Sequence, residues 1–127
     1  MITEPNGKEI EAFIQESTKP VVVEIWASWC HNCKSFEPTY REIAEKYQEK
    51  AHFLIVKADD NETFARKFKV MGVPSILYFS HGHLIKKTTG IKSEASIIKK
   101  LAPILDYTAE DAKANEHKGF FSMLFKR

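Results

Sequence analysis

Apolar and polar positions fall into two kinds of block along the chain. Val21–Trp26, interrupted only by Glu24, Phe53–Val56 and Ile76–Phe79 are short, nearly continuous apolar runs. Runs of that length, bounded by turn signals, read as strands buried on both faces. Between them the apolar spacing is helical. Ile10, Phe13 and Ile14 predict a helix over about residues 8–17, closed by Pro20. Phe36, Tyr40, Ile43, Ala44 and Tyr47 share one face of a long helix that starts near Cys33 and runs to about Lys50. Pro38 lies inside it and is expected to kink it. Phe64 and Phe68 mark a short helix. A turn at Ser80–Gly82 leads into a fourth strand around His83–Thr88, which Gly90 breaks. Ile97, Ile98, Leu101, Ile104 and Leu105 predict one further helix with Ser93 as its N-cap. Strands alternating with helices predict an α/β fold: a central mixed sheet of four to five strands, flanked by helices on both faces.

The pattern changes after Leu105. Residues 1–105 read as one domain, and residues 106–127 as a C-terminal helical extension packed on it. Thr108-Ala109-Glu110-Asp111 has the form of a capping box, and Gly119 is expected to end the helix that follows. Phe120, Phe121, Leu124 and Phe125 would then form a small apolar face flanked by Lys118, Lys126 and Arg127. Docking on the domain is the expected arrangement. Four apolar side chains with three basic ones make a weak membrane anchor, so membrane contact is not expected of this tail.

Composition narrows the functional classes. At 127 residues, 43% apolar and 28% charged, the chain can bury a core as a globular, monomeric protein. Nineteen basic and 17 acidic residues are dispersed along it for a net charge of +2, which leaves no nucleic-acid footprint. No apolar stretch approaches the roughly 20 residues that span a bilayer. Met1-Ile2-Thr3-Glu4-Pro5 has neither the basic start nor the apolar core of a signal peptide. A cytoplasmic location is therefore expected, with a periplasmic or extracytoplasmic one as the alternative if a leader has been removed. Two cysteines are too few for a disulfide-stapled scaffold.

Those cysteines carry the candidate chemistry. Cys30 and Cys33 lie in Trp26-Ala27-Ser28-Trp29-Cys30-His31-Asn32-Cys33-Lys34, where a buried strand hands over to a helix. Unpaired N–H groups and the positive end of the helix dipole favour a thiolate on Cys30. The C-x-x-C spacing lets the second sulfur attack a mixed disulfide formed at the first, so Cys30, at the exposed helix start, is the expected nucleophile and Cys33, buried about one turn in, the resolving thiol. A metal site is not expected. Zinc needs about four ligands, and His31, His52, His81, His83 and His117 have no ligand spacing. Haem attachment needs a histidine where Lys34 stands.

With these residues in place the chain resembles the thioredoxin family over roughly residues 8–105. Trp29-Cys30-x-x-Cys33-Lys34-x-x-x-Pro38 looks like the family's active-site stretch, and Glu24 stands where the family has a buried acid. Gly72-Val73-Pro74 looks like the loop whose cis proline faces the cysteines. Gly90, followed by Ile91, looks like the glycine that leaves room for a substrate chain. Lys57 resembles a lysine near the buried acid. The resemblance implies a thiol–disulfide oxidoreductase whose redox group is the Cys30–Cys33 pair, with no bound cofactor. It implies protein disulfides as substrates and an upstream reductase as partner. Trp29, Gly72, Val73, Pro74, Gly90 and Ile91 would bind substrate, with Trp29 as a platform and Trp26 in the core. Glu24 has two compatible readings: an ion pair with Lys57, and a proton acceptor for Cys33 with its pKa raised by desolvation.

The chain also departs from the family. His31-Asn32 replaces Gly-Pro or Gly-His between the cysteines, the acid is Glu rather than Asp, and the first edge strand must be short or missing. His31 either faces solvent without consequence or favours the Cys30 thiolate. In the second case, with the rigidity of a proline lost at Asn32, the couple is more oxidising than the ordinary thioredoxin value of about −270 mV. Two alternatives to a reductase remain at this point. One is a non-catalytic binding module docking partners through Trp29, Val73, Pro74 and Ile91 or through the C-terminal tail. The other is a secreted oxidase or isomerase.

Overall fold

The structure is a computed structural model, and it describes residues 2–5 and 8–117. The elements run in the order β1 (Ile2–Thr3), α1 (Lys8–Glu16), β2 (Val21–Trp26), α2 (His31–Tyr47), β3 (His52–Lys57), a 3₁₀ turn (Ala58–Asp60) and α3 (Glu62–Lys67). The chain continues through β4 (Ser75–Ser80), β5 (His83–Thr89), α4 (Glu94–Leu101), a second 3₁₀ segment (Ala102–Asp106) and α5 (Ala109–Ala114). The five strands form one mixed sheet in the order β1-β3-β2-β4-β5. β1 and β2 pair parallel with β3, whereas β4 is antiparallel to β2 and β5 to β4. The edge strand β1 is present but only two residues long.

Side chains alternate across the sheet and so divide the core in two. Val21, Val23 and Ile25 of β2 join Leu54, Val56, Leu77 and Phe79 under Ile10 and Ile14 of α1 and Phe64 of α3. Val22 faces the other way, with Phe53, Ile55, Ile76 and Tyr78, against Phe36, Tyr40 and Ile43 of α2 and Ile97 and Leu101 of α4. Glu24 shares the Val22 face of β2, so the alternation alone turns it toward α2. Tyr40 ties α2 to the sheet, its hydroxyl shared between the carbonyls of Val22 (3.1 Å) and Leu54 (2.8 Å).

Three helix ends differ from the apolar pattern. α2 stops at Tyr47, because Lys50 N and Ala51 N both turn back to the Tyr47 carbonyl. α2 continues through Pro38, although Pro38 has no N–H to offer the preceding turn. The apolar face from Ile97 to Leu105 is not one helix. α4 is capped by Ser93, which accepts from Ser96 N at 3.1 Å, but the chain tightens to 3₁₀ after Leu101. Pro103 cannot donate to the Lys99 carbonyl, so the α-helical ladder cannot continue there.

α5 begins with the Thr108–Asp111 capping box and ends at Ala114, well before Gly119. Tertiary bonds displace the helix: His117 N donates to the Leu84 carbonyl of β5 (2.7 Å), and His83 Nδ1 meets Glu116 Oε2 (2.9 Å). Ala112 is fully buried in the α2–α4 core, so the described part of the extension covers the β5 edge. The aromatic cluster Phe120, Phe121, Leu124 and Phe125 lies outside the described residues.

Candidate active site

The loop between β2 and α2 is held in place from two directions. Cys30 N donates to the Ala27 carbonyl (3.1 Å), closing a tight turn. Ser28 clamps the loop to the 3₁₀ turn after β3. Its N–H donates to Asp59 Oδ1 (3.2 Å) and its hydroxyl to Asp59 Oδ2 (2.6 Å). The Ser28 hydroxyl bond holds the Asp59 carboxyl below its ordinary pKa. Nothing in the residue pattern singles out Ser28 and Asp59, because they meet only when β2 and β3 pair.

Cys30 is the N-cap of α2, and Cys33 sits one turn in. The two are joined as a disulfide, with Cα atoms 5.3 Å apart. Cys33 N points at Cys30 Sγ (3.1 Å), so the first turn of the helix directs a donor at the N-cap sulfur. The sequence reading expects an exposed Cys30 and a buried Cys33. In the disulfide form both are covered, at 5% and 3% exposed. What separates them is their surroundings. Cys30 occupies the capping position, whereas Cys33 lines a cavity of about 60 Å³ with Glu4, Glu24, Trp26, Lys34, Glu37 and Ile55. His31 and Asn32 form the exposed start of α2.

Glu24 is 2% exposed, and its Oε2 has no hydrogen-bond partner among the described residues. Burial pushes its pKa up from 4.5 to about 7, with Glu37 adding to the rise and Arg41 opposing it. The expected ion pair with Lys57 does not form. Lys57 sits opposite Trp26 at the end of β3, with its ammonium 5.6 Å from the Trp26 ring centre and 3.9 Å from Asp60 Oδ2. The aromatic face and the Asp60 carboxylate hold it at the end of the sheet, where it keeps more of its hydration. Among the described residues Glu24 therefore has no cationic partner in contact, and the cavity is roomy enough for a water beside it.

The second loop arrives from β4. The Val73–Pro74 peptide bond is cis. Val73 packs with Trp26 on the cluster of Ala27, Cys30 and Cys33, which puts this loop beside the disulfide. The Ser75 hydroxyl donates to the Gly72 carbonyl, and Gly90 N donates to the Pro74 carbonyl (2.7 Å), joining β5's end to the same loop. Gly90 has φ +94° and open space where a Cβ would stand, so backbone conformation rather than crowding within the chain requires glycine there. Among the described residues the exposed large apolar side chains are Trp29 (77%), Met71 (90%) and Ile91 (49%). Each lies within two residues of Cys30, Val73 or Gly90, so exposed apolar surface gathers around the disulfide. Met71 is absent from the sequence-based site, because an isolated methionine in a loop carries no signal until the loop is placed. Among the described residues no cluster of His, Cys, Asp or Glu is arranged to hold a metal ion, and no helix is long and apolar enough to cross a membrane.

Comparison with known proteins agrees with this geometry. The family description "Thioredoxin" matches residues 2–113. A thioredoxin of Staphylococcus haemolyticus is 36% identical over 93 residues, covering 73% of this chain and 84% of that protein. A thioredoxin-like protein of Synechocystis is 32% identical over 106 residues, covering 84% of this chain and 97% of its own. A bifunctional thioredoxin reductase/thioredoxin of Mycobacterium leprae is 32% identical over 94 residues; the match covers 74% of this chain but 20% of that longer protein. With a Cys30–Cys33 disulfide at a helix start, a buried acid beneath it and a family match over nearly the whole described chain, this protein belongs to the thioredoxin family and is a thiol–disulfide oxidoreductase.

Proposed function

We propose that the protein is a reductase of protein disulfides in a reducing, cytoplasmic compartment, acting as a monomer. The Cys30 thiolate attacks one sulfur of the substrate disulfide, and the other substrate sulfur leaves as a thiolate. Cys33 then gives its proton to Glu24. The Cys33 thiolate attacks Cys30 Sγ in the mixed disulfide and expels the second substrate thiolate. The Cys30–Cys33 disulfide that remains is returned to the dithiol by a reductase. The Mycobacterium leprae relative carries both names in one chain, which supports a partner of that class. The cavity that brings Cys33 and Glu24 together carries this reading, because only the resolving thiol needs an acceptor at that place. Trp29, Met71, Val73 and Ile91 would hold the substrate chain beside Cys30, with Gly72, Pro74 and Gly90 shaping the loops. Reduction of insulin disulfides is the direct test. Robust turnover is expected, and partner binding without turnover would mean a docking module instead.

His31 and Asn32 are assigned to redox tuning. Both are exposed at the positive end of α2, where a cation on His31 favours the Cys30 thiolate and so the reduced form. Replacing His31-Asn32 by Gly-Pro is expected to lower the reduction potential by tens of millivolts; roughly 30 mV corresponds to about 1.4 kcal/mol for a two-electron couple. Equilibration with glutathione measures it, and an unchanged or higher potential removes the role.

Residues 106–127 are assigned as an extension docked on a domain of residues 1–105. Truncation after Asp106 removes Ala112 from the core and the cover over β5. The melting temperature is expected to fall by several degrees, since about 1 kcal/mol moves a domain of this size by roughly 3–6 °C. Unchanged stability together with loss of liposome or partner binding would make the tail an interaction element.

A further inference from the structure

Glu37 and Arg41 form an ion pair that looks ordinary from the sequence. They are four residues apart on α2, both about half exposed, with Arg41 Nε (3.1 Å) and Nη2 (3.0 Å) donating to the same Glu37 Oε1. Such a pair usually stabilises a helix slightly and does nothing else. Here it has a second setting. Glu37 lines the cavity shared by Cys33 and Glu24, one turn beyond Cys33 on the same helix. A carboxylate fixed there shares a cavity of about 60 Å³ with a second carboxylate. In such a space charges interact more strongly than on an open surface.

We propose that Glu37, held by Arg41, is a positioning residue of the active site: its charge at the cavity mouth opposes ionisation of Glu24 and so selects the pH range in which Glu24 takes the Cys33 proton. The proposal rests on the reading of Glu24 as that acceptor. The other groups facing Glu24 are few. Cys33, Lys34 and Tyr40 come from α2, Lys57 from the end of β3, and Glu4 from the segment before α1. Tyr78 of β4 lies beyond Tyr40 in the same layer. Tyr40 and Tyr78 are neutral near pH 7, since burial pushes both phenols up, and Lys57 is engaged by Trp26 and Asp60. Glu37 raises the Glu24 pKa and Arg41 lowers it, second and third after burial itself. The two partners of one ion pair thus push Glu24 in opposite directions.

That opposition makes the test specific. Glu37→Gln and Arg41→Gln each break the ion pair, so any structural loss is the same in both. The Glu24 carboxyl is titrated by ¹³C NMR in the oxidised full-length protein, where the cysteines do not ionise. The midpoint is expected to fall in Glu37→Gln and to rise in Arg41→Gln, each by on the order of half a pH unit at low salt. The pH profile of mixed-disulfide resolution is expected to move the same way. Midpoints that coincide with the parent, or shift in one common direction, overturn the role of Glu37. A resolution rate that Glu24→Gln leaves unchanged overturns the acceptor reading instead, whatever the titrations give.

Discussion

A Cys33→Ser variant will accumulate covalent adducts with its substrates, and a Cys30→Ser variant will accumulate none. Cys30 caps α2 and receives the Cys33 N–H at its sulfur, which supports the proposed role of Cys30 as the thiol activated by the helix start. With serine at position 33 the first exchange still occurs, but nothing attacks the mixed disulfide, and the substrate stays attached. With serine at position 30 the entering nucleophile is gone. Activity on insulin is expected to fall to the uncatalysed rate in both variants, so the discriminating measurement is the adduct pool on a non-reducing gel. Adducts on Cys30→Ser alone would mean that the roles of the two thiols are reversed.

Glu24→Gln is expected to make the protein more stable and less active at once. The folded-state pKa of Glu24 is raised from 4.5 to about 7. Between those values the folded state holds a proton that the unfolded chain releases, so stability falls as pH rises through that window. Above pH 7 the ionised, buried Glu24 destabilises the fold by about 3 kcal/mol relative to a neutral group. Denaturation midpoints of Glu24→Gln and parent should therefore coincide near pH 4 and separate progressively up to pH 8, with the variant higher. On the proposed mechanism the Cys33 proton then has no acceptor in the same variant. Resolution should slow by roughly 10²-fold or more while the first attack is little changed. Equal slowing of both steps would leave Glu24 with a purely structural role. Parallel stability curves across this pH range would mean that its carboxyl is not perturbed by burial.

The difference between Glu24 and Lys57 shows how far residue pattern reaches. An acid inside an apolar strand is conspicuous, and strand alternation already assigns it to the Val22 face. Whether it meets a cation depends on where the tip of a long, flexible lysine comes to rest. Trp26 and Asp60 settle that, and both belong to the packing of the sheet's end. The thiol pair was legible because its residues are rare and closely spaced in the chain, and the cis-proline loop was legible only through the family resemblance of Gly72-Val73-Pro74. Ser28, Asp59, Met71, Glu37 and Arg41 were not, because each is a common residue whose meaning comes from a neighbour brought in by the fold.

By itself the sequence determined strands β2 to β5, the faces of the long helices, the capping of α4 and α5 and the place of the thiols. All of these follow from local periodicity, a missing N–H or a short side chain at a helix start. Tertiary structure alone decided where α5 stops, since it yields to the bonds that Glu116 and His117 make with β5. It also decided which charges surround Glu24. Backbone hydrogen bonds are short-ranged and recur with a fixed period, so they leave a trace in the order of residues. Burial and electrostatic contact join residues remote in the chain, and they exist only once the sheet and α2 have closed over the acid.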